Sequence, residues 1–234
     1  MLVHAVFDLL GWLTAGVLGV LIGRWKLLGP RTSRTPLTDP GYFIALGVGA
    51  LCGALLVGSL NLNLAGTFAI GHSIAGGITG GIAAVEAYKW SMGIRGSTGG
   101  AFVAPLAAGI AIGRLGCFFA GLPDYTFGTP TMLPWGVDFG DGIMRHPVQL
   151  YESAAMLVFL VVYLRAVARG SAMVLRDGFY LFVLFYGVQR FAWEFLKPYP
   201  TLVGPFNLFH LLCAALIGYS LIMIGRNRDL YPAR

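Results

Sequence analysis

The chain has 234 residues, 57% of them hydrophobic and only 11% charged, with a mean hydropathy of +0.75. A soluble domain carries about 25% charged residues, so this composition excludes one and specifies an integral membrane protein. The net charge of +6 does not point to nucleic acid, because the basic residues are distributed by side of a membrane rather than gathered in one patch.

Seven apolar segments can be drawn, at residues 2–22, 41–60, 68–87, 101–121, 148–164, 178–196 and 206–224. Each approaches or reaches the ~20 residues that a bilayer-spanning helix needs. They are too long for strands, and neither hairpin signals nor an internal repeat is seen between them. The expected fold is therefore all-α, an integral membrane protein of seven transmembrane helices in a single polytopic domain over 1–234. The first segment is preceded by no positive charge, so it reads as a retained helix with its N-terminus outside, not a cleaved signal peptide. Alternation then places Arg24, Lys26, Arg31 and Arg34 in the cytoplasm, followed by Lys89 and Arg95, by Arg165, Arg169 and Arg176, and by Arg226, Arg228 and Arg234 at a cytoplasmic C-terminus.

Glycines spaced four apart, at Gly19/Gly23, Gly49/Gly53, Gly76/Gly80, Gly77/Gly81 and Gly109/Gly113, predict close helix packing. The 29–40 link is polar and contains three prolines. The extracytoplasmic connection at 122–144 is longer than the usual ~4–6 residues. Its Pro123, Pro130 and Pro134 limit flexibility, Tyr125 and Trp135 suit a membrane interface, and it reads as a cover over a site on the outer side. Cys52, Cys117 and Cys213 all fall in apolar runs without metal-ligand spacing, so neither a disulfide framework nor a metal site is expected.

The other four basic residues, Arg114, Arg145, Arg190 and Lys197, fall toward the outer face. The four histidines, His4, His72, His146 and His210, and Asp124, Asp138, Asp141, Glu152 and Glu194 fall there too. An arginine within an apolar run costs ~2.5–3.5 kcal/mol on insertion scales and so marks a functional interior. Arg190 and Glu194 are four apart and can pair on one helix face. Either the pair only neutralises itself, or Arg190 grips an anionic lipid headgroup while Glu194 orients it. Arg114 has no acidic residue three or four positions away, so its partner comes from another segment or from a bound phosphate. His146 precedes Pro147, which suits a first helical turn, and His146, Gln149 and Glu152 then lie at spacing three on one broad face. A histidine near a carboxylate is a proton-handling pair. Gln149 is either a pin for the helix start, the simpler reading, or a substrate contact.

Three blocks stand in order: Gly113-Arg114-Leu115-Gly116 with Phe118, Arg145-His146-Pro147 through Glu152, and Tyr186-Gly187-Val188-Gln189-Arg190-Phe191-Ala192-Trp193-Glu194-Phe195. Together with the hydropathy pattern they resemble the prolipoprotein diacylglyceryl transferases. These are bacterial inner-membrane enzymes that move a diacylglyceryl group from phosphatidylglycerol to a cysteine. The candidate catalytic residues are Arg114, Arg190, Glu194 and His146, with His72 as a second candidate base, and the candidate substrate-binding residues are Gly116, Cys117, Gly128, Gln149 and Glu152. The resemblance itself implies essential roles for Arg114 and Arg190 in lipid binding and catalysis. It implies no cofactor and no metal, a membrane location with the site toward the periplasm, and as partners an anionic phospholipid and a prolipoprotein acceptor.

Three positions depart from the family pattern. The usual histidine before the paired glycines of the third helix is Ala75, with His72 three residues earlier and expected on the same helix face. The usual asparagine is Cys117, which reads as a small buried side chain, with a covalent nucleophile as the alternative, and Trp12 stands in the first helix where a tyrosine is common. A related transferase with another periplasmic acceptor, such as a glycan, and a non-catalytic lipid-binding homologue are the alternatives.

Overall fold

The computed structural model describes residues 2–24 and 39–230. Lys26, Arg31, Arg34, Arg234 and most of the 29–40 link lie outside the described residues. Seven α-helices are described: α1 (Leu2–Arg24), α2 (Pro40–Leu64), α3 (Ile74–Ser91), α4 (Val103–Ala120), α5 (Val148–Ala168), α6 (Ala172–Glu194) and α7 (Leu208–Leu230). Five are long and apolar enough to cross a membrane, at Ala5–Arg24, Pro40–Leu64, Gly100–Ala120, Val148–Ala168 and Leu208–Arg228. The other two carry more polar sequence: Glu86 and Lys89 in α3, and Arg176, Asp177, Arg190 and Glu194 in α6.

Two short antiparallel hairpins accompany the helices where none was expected. They pair β1 (Val137–Asp138) with β2 (Met144–Arg145), and β3 (Thr201–Val203) with β4 (Phe206–Asn207). Their turns use glycine in left-handed backbone, at Gly140 and Gly142 in the first and Gly204 in the second. A glycine adopts that region without steric cost.

The chain divides into two compact units, Met1–Gly29 with Gly99–Pro198, and Pro30–Thr98 with Tyr199–Arg234. In the first, α4 packs against both α1 and α5, and α5 also packs against α6. Phe7 stacks on Phe119 across α1 and α4, with ring centroids 5.3 Å apart. Phe159 of α5 meets Phe182 and Phe185 of α6. Ser153 of α5 donates to the Ala111 carbonyl of α4 at 2.7 Å, which satisfies a hydroxyl that the apolar interior would otherwise penalise.

In the second unit α2 and α3 form a helical hairpin. Asp39 caps α2 by accepting from the Gly41 N–H at 2.9 Å, with Pro40 in the first turn. A Cβ on Gly53 or Gly76 would run into the other's backbone carbonyl, and the same holds for Gly49 and Gly80. These four glycines are the close approach that the spacing predicts. Gly77 and Gly81 sit more loosely in the same interface. At Gly23, Gly109 and Gly113 nothing stands within 4 Å of an added Cβ, and at Gly19 the nearest atom is Pro105 Cγ at 3.9 Å, so the spacing alone overstates packing there. Lys89 is buried and pairs with Glu86 at 2.8 Å, and Glu86 also accepts from Tyr219 of α7 at 2.9 Å.

The third helix differs most from expectation, starting at Ile74 rather than near 68. Ser73 has extended backbone and accepts from the Gly76 N–H at 3.1 Å, which makes it the N-cap. The Gly71 N–H is taken by Ser59 at 3.2 Å, so the preceding residues are held outside the helix.

Candidate functional site

Five charged side chains of the first unit come together, none more than 5% exposed: Arg114 of α4, Glu152 of α5, Arg190 and Glu194 of α6, and Lys197 just beyond it. Each is placed by its own helix. Arg114 lies on the buried face of α4 with Ala107, Ala108, Ile110, Ala111 and Cys117. Glu152 lies in the buried stripe of α5 that contains Gln149, Ser153, Met156 and Leu160. Arg190 and Glu194 are one turn apart on the buried face of α6.

Glu152 is the hub. Its Oε1 accepts from Arg190 Nη1 and from Lys197 Nζ, the latter at 2.9 Å, and Arg114 Nε lies 2.7 Å from its Oε2. The Arg114 contact is a close charge pair lacking the angle of a linear hydrogen bond. Arg190 turns its other terminal nitrogen to Glu194 at 2.7 Å, and Lys197 reaches the same carboxylate at 3.6 Å. Paired charges survive burial where a lone one would not, because each partner replaces part of the lost hydration. Burial first, and then the Arg190 guanidinium, push the Lys197 ammonium down to about 8.

Three cations against two carboxylates leave this group of five with a formal charge of +1. Arg190 is committed to two carboxylates. Arg114 uses only Nε on Glu152, and the contact of its Nη1 is the Cys117 sulfur at 4.0 Å. The fork end of a guanidinium can grip two phosphate oxygens at once. Arg114 therefore has donors to offer a ligand.

The structure thus brings together Arg114, Arg190, Glu194 and Glu152, with Cys117 beside Arg114 and the buried Gly116 in the same turn. The expected partner of Arg114 from another segment is Glu152. Lys197 was not singled out from sequence as a site residue. Its signal was its position as an outer cation three residues after Glu194.

Gln149 is fully buried, and neither its amide nitrogen nor its amide oxygen has a hydrogen-bond partner among the described residues. Leaving such a group unpaired costs about 1–3 kcal/mol, so the reading of Gln149 as a pin for the helix start does not hold. A pin requires a bond to backbone.

His146 stands elsewhere than expected. α5 begins at Val148, with Pro147 as N-cap, so His146 precedes the helix and does not continue the face of Gln149 and Glu152. Its N–H donates to the Thr129 carbonyl at 3.1 Å, which draws it into the 122–144 loop. Its half-buried ring has Nδ1 3.5 Å from the Tyr151 hydroxyl, and that hydroxyl accepts from Trp135 Nε1 at 2.8 Å. Gly128 lies under His146: an added Cβ would strike the His146 carbonyl and come within 2.8 Å of Val148 Cγ2. Its role in the structure is close packing beneath the histidine. His72 belongs to the second unit, is exposed, and sits ahead of the Ser73 cap, so it shares no helical face with the buried Ala75.

The 122–144 loop is anchored onto this region. The Thr129 N–H donates to the carbonyl of Leu196, next to Lys197, at 2.7 Å, and Thr131 donates to Met144 at 2.9 Å. Arg145 and Asp141 make a two-pronged pair at 2.6 and 2.7 Å, and Arg145 covers the Phe127 ring at 5.2 Å. The Arg145 hydrogen bonds hold the Asp141 carboxyl below its usual range. With Leu122, Pro123 and Tyr125 these residues line a cleft of about 490 Å³. Tyr125 has left-handed backbone, with φ 56°. For a bulky residue this is strain of about 1–3 kcal/mol, a kind that clusters at functional sites.

Comparison with known proteins gives the family. The model of the prolipoprotein diacylglyceryl transferase family matches residues 7–226. The chain is 32% identical over 228 residues to a phosphatidylglycerol–prolipoprotein diacylglyceryl transferase of Solidesulfovibrio magneticus, with 88% of this chain and 84% of the relative covered. It is 31% identical to the enzyme of that name from Methylococcus capsulatus (86% and 84% covered) and 30% identical to that of Polynucleobacter asymbioticus (94% and 81% covered). No solved structure matches the chain. With a buried arginine–carboxylate group built from the three sequence blocks and a family match running nearly end to end, the chain belongs to the prolipoprotein diacylglyceryl transferase family.

Proposed function

We propose that this protein is a phosphatidylglycerol-dependent transferase that moves a diacylglyceryl group to the cysteine of a prolipoprotein. The observation that carries the reading is the buried group of five charges with its surplus of +1, which matches the single negative charge of a phosphodiester. Arg114 grips the phosphate with its fork end, while Arg190, held between Glu152 and Glu194, and Lys197 supply the surrounding positive potential. In the reaction the acceptor thiolate forms a C–S bond to the glyceryl carbon of the diacylglyceryl group. The C–O bond to phosphate breaks, and glycerol phosphate leaves with the electron pair. Cations fixed where that charge develops stabilise the transition state. His146 takes the thiol proton: with Nδ1–H given to the Tyr151 oxygen, Nε2 keeps its lone pair. Cys117 is a small buried neighbour of Arg114 rather than a nucleophile. Gly128 serves by packing beneath His146, Gly116 lies buried beside Cys117, and His72 remains a second candidate base.

In this reading all seven helices span the bacterial inner membrane, N-terminus outside and C-terminus in the cytoplasm, with the site toward the periplasm. The distribution of basic residues supports that orientation. The family match runs through both compact units, which supports one polytopic membrane domain with the 122–144 loop covering the outer site.

The test is incubation of the purified protein with labelled phosphatidylglycerol and a lipobox peptide, with products identified by mass spectrometry. A thioether-linked diacylglyceryl peptide is expected. Arg114→Gln should lower turnover by about 10²–10³-fold, the usual loss on removing one charge-stabilising donor. His146→Ala should slow the chemical step more than it weakens lipid binding. Turnover with a glycan acceptor alone would shift the reaction to the related class, and lipid binding without turnover on any acceptor would leave a non-catalytic homologue.

A further inference from the structure

Gln149 lies in the first turn of α5, one turn before Glu152 and four residues before Ser153, which bonds to Ala111 of α4. It is thus on the α5 face that packs inward, and helical side chains lean toward the N-terminus of their helix. Its carboxamide is fully buried at the loop end of the charged group. Both amide atoms lack a protein partner among the described residues. A carboxamide is neutral, and it presents two N–H donors beside an acceptor oxygen.

These properties complement one kind of headgroup. The five charges are matched by a phosphodiester alone. A zwitterionic headgroup would bring an ammonium toward a group that already has surplus positive charge. A polyol brings no charge but needs donors and acceptors in close pairs, which a buried amide supplies. We propose that Gln149 reads the uncharged hydroxyls of the phospholipid headgroup, so that Arg114 selects the phosphate and Gln149 selects the glycerol attached to it. This rests on the transferase reading above and names the residue that sets its lipid preference.

The test compares phosphatidylglycerol with phosphatidylethanol, which carries the same phosphodiester charge but no headgroup hydroxyls. Binding of short-chain forms of both lipids to the full-length protein is measured in detergent, for the parent and for Gln149→Met, which keeps side-chain size and removes the amide. The parent should prefer phosphatidylglycerol by about fivefold to tenfold, as one or two hydrogen bonds allow. Gln149→Met should lose that preference by weakening phosphatidylglycerol alone, with phosphatidylethanol binding unchanged. Arg114→Gln should weaken both lipids together. Equal loss of both lipids in a folded Gln149→Met protein, or an undiminished preference, overturns the inference while leaving the transferase reading intact. A parent protein that binds neither lipid overturns the transferase reading itself. If Gln149→Met does not fold, Gln149→Asn is the variant read, since its shorter amide should also lose the preference, and a preference it retains in full counts against the proposal.

Discussion

Lys197 shows how much one side chain can depend on its surroundings. An ordinary lysine ammonium titrates near ~10.4, yet burial and Arg190 bring this one down to about 8, against the opposing pull of Glu152 and Glu194. Below that value it is charged and the group of five has its surplus of +1. Above it the surplus is gone. A bound anion favours the protonated form, so the affinity for an anionic lipid should fall as the pH rises through about 8 and on toward 9. Lys197→Arg, which stays charged throughout, should flatten that part of the profile. Lipid binding followed between about pH 7 and 9 checks this, and identical profiles for the two proteins would remove Lys197 from the lipid response. Arg190→Lys should also be harmful. Arg190 serves two carboxylates from two terminal nitrogens, and an ammonium cannot reproduce that planar fork.

At the scale of elements, the helices of this chain owe little to amphipathic pattern, since most faces meet either lipid or another apolar helix. Small residues decide which faces come together. The α2–α3 hairpin is held so closely that a Cβ on Gly80 would meet the Gly49 carbonyl, whereas a Cβ on Gly77 finds its nearest atom at an ordinary 3.5 Å. Gly80→Ala should therefore destabilise by about 1–3 kcal/mol through overpacking. Gly77→Ala should be neutral, or stabilise by up to about 1 kcal/mol through helix propensity. Thermal unfolding in detergent distinguishes the two, and equal shifts would mean that the hairpin opens more readily than its contacts imply. The same spacing occurs at Gly109/Gly113 without a close approach. A four-residue period marks a permissive face but not the partner that uses it.

For the whole molecule, the proposed orientation is checked by reporter fusions. Fusions after Arg34, Arg95, Arg169 and Arg228 should report cytoplasm, and those near Asp138 and Tyr199 should report periplasm. An inverted pattern would put the charged group toward the cytoplasm, out of reach of a periplasmic acceptor. Much of this protein was decided by sequence alone: membrane class, helical fold, family, and the arginines and glutamates that converge. Those follow from composition and from residue types whose burial in lipid is too costly without a partner. Helix starts were less legible, because single residues settle them. Ser73, extended and accepting from Gly76, is the N-cap of α3, and Pro147 is the N-cap of α5 without a side-chain hydrogen bond, so His72 and His146 fall off the faces that periodicity assigned them. Only the tertiary structure made Glu152 the hub for Arg114, Arg190 and Lys197, and left Gln149 buried without a hydrogen-bond partner among the described residues. Those facts depend on contacts between α4, α5 and the end of α6. Sequence spacing carries the geometry of one helix, but it contains no distance between side chains that different helices bring together.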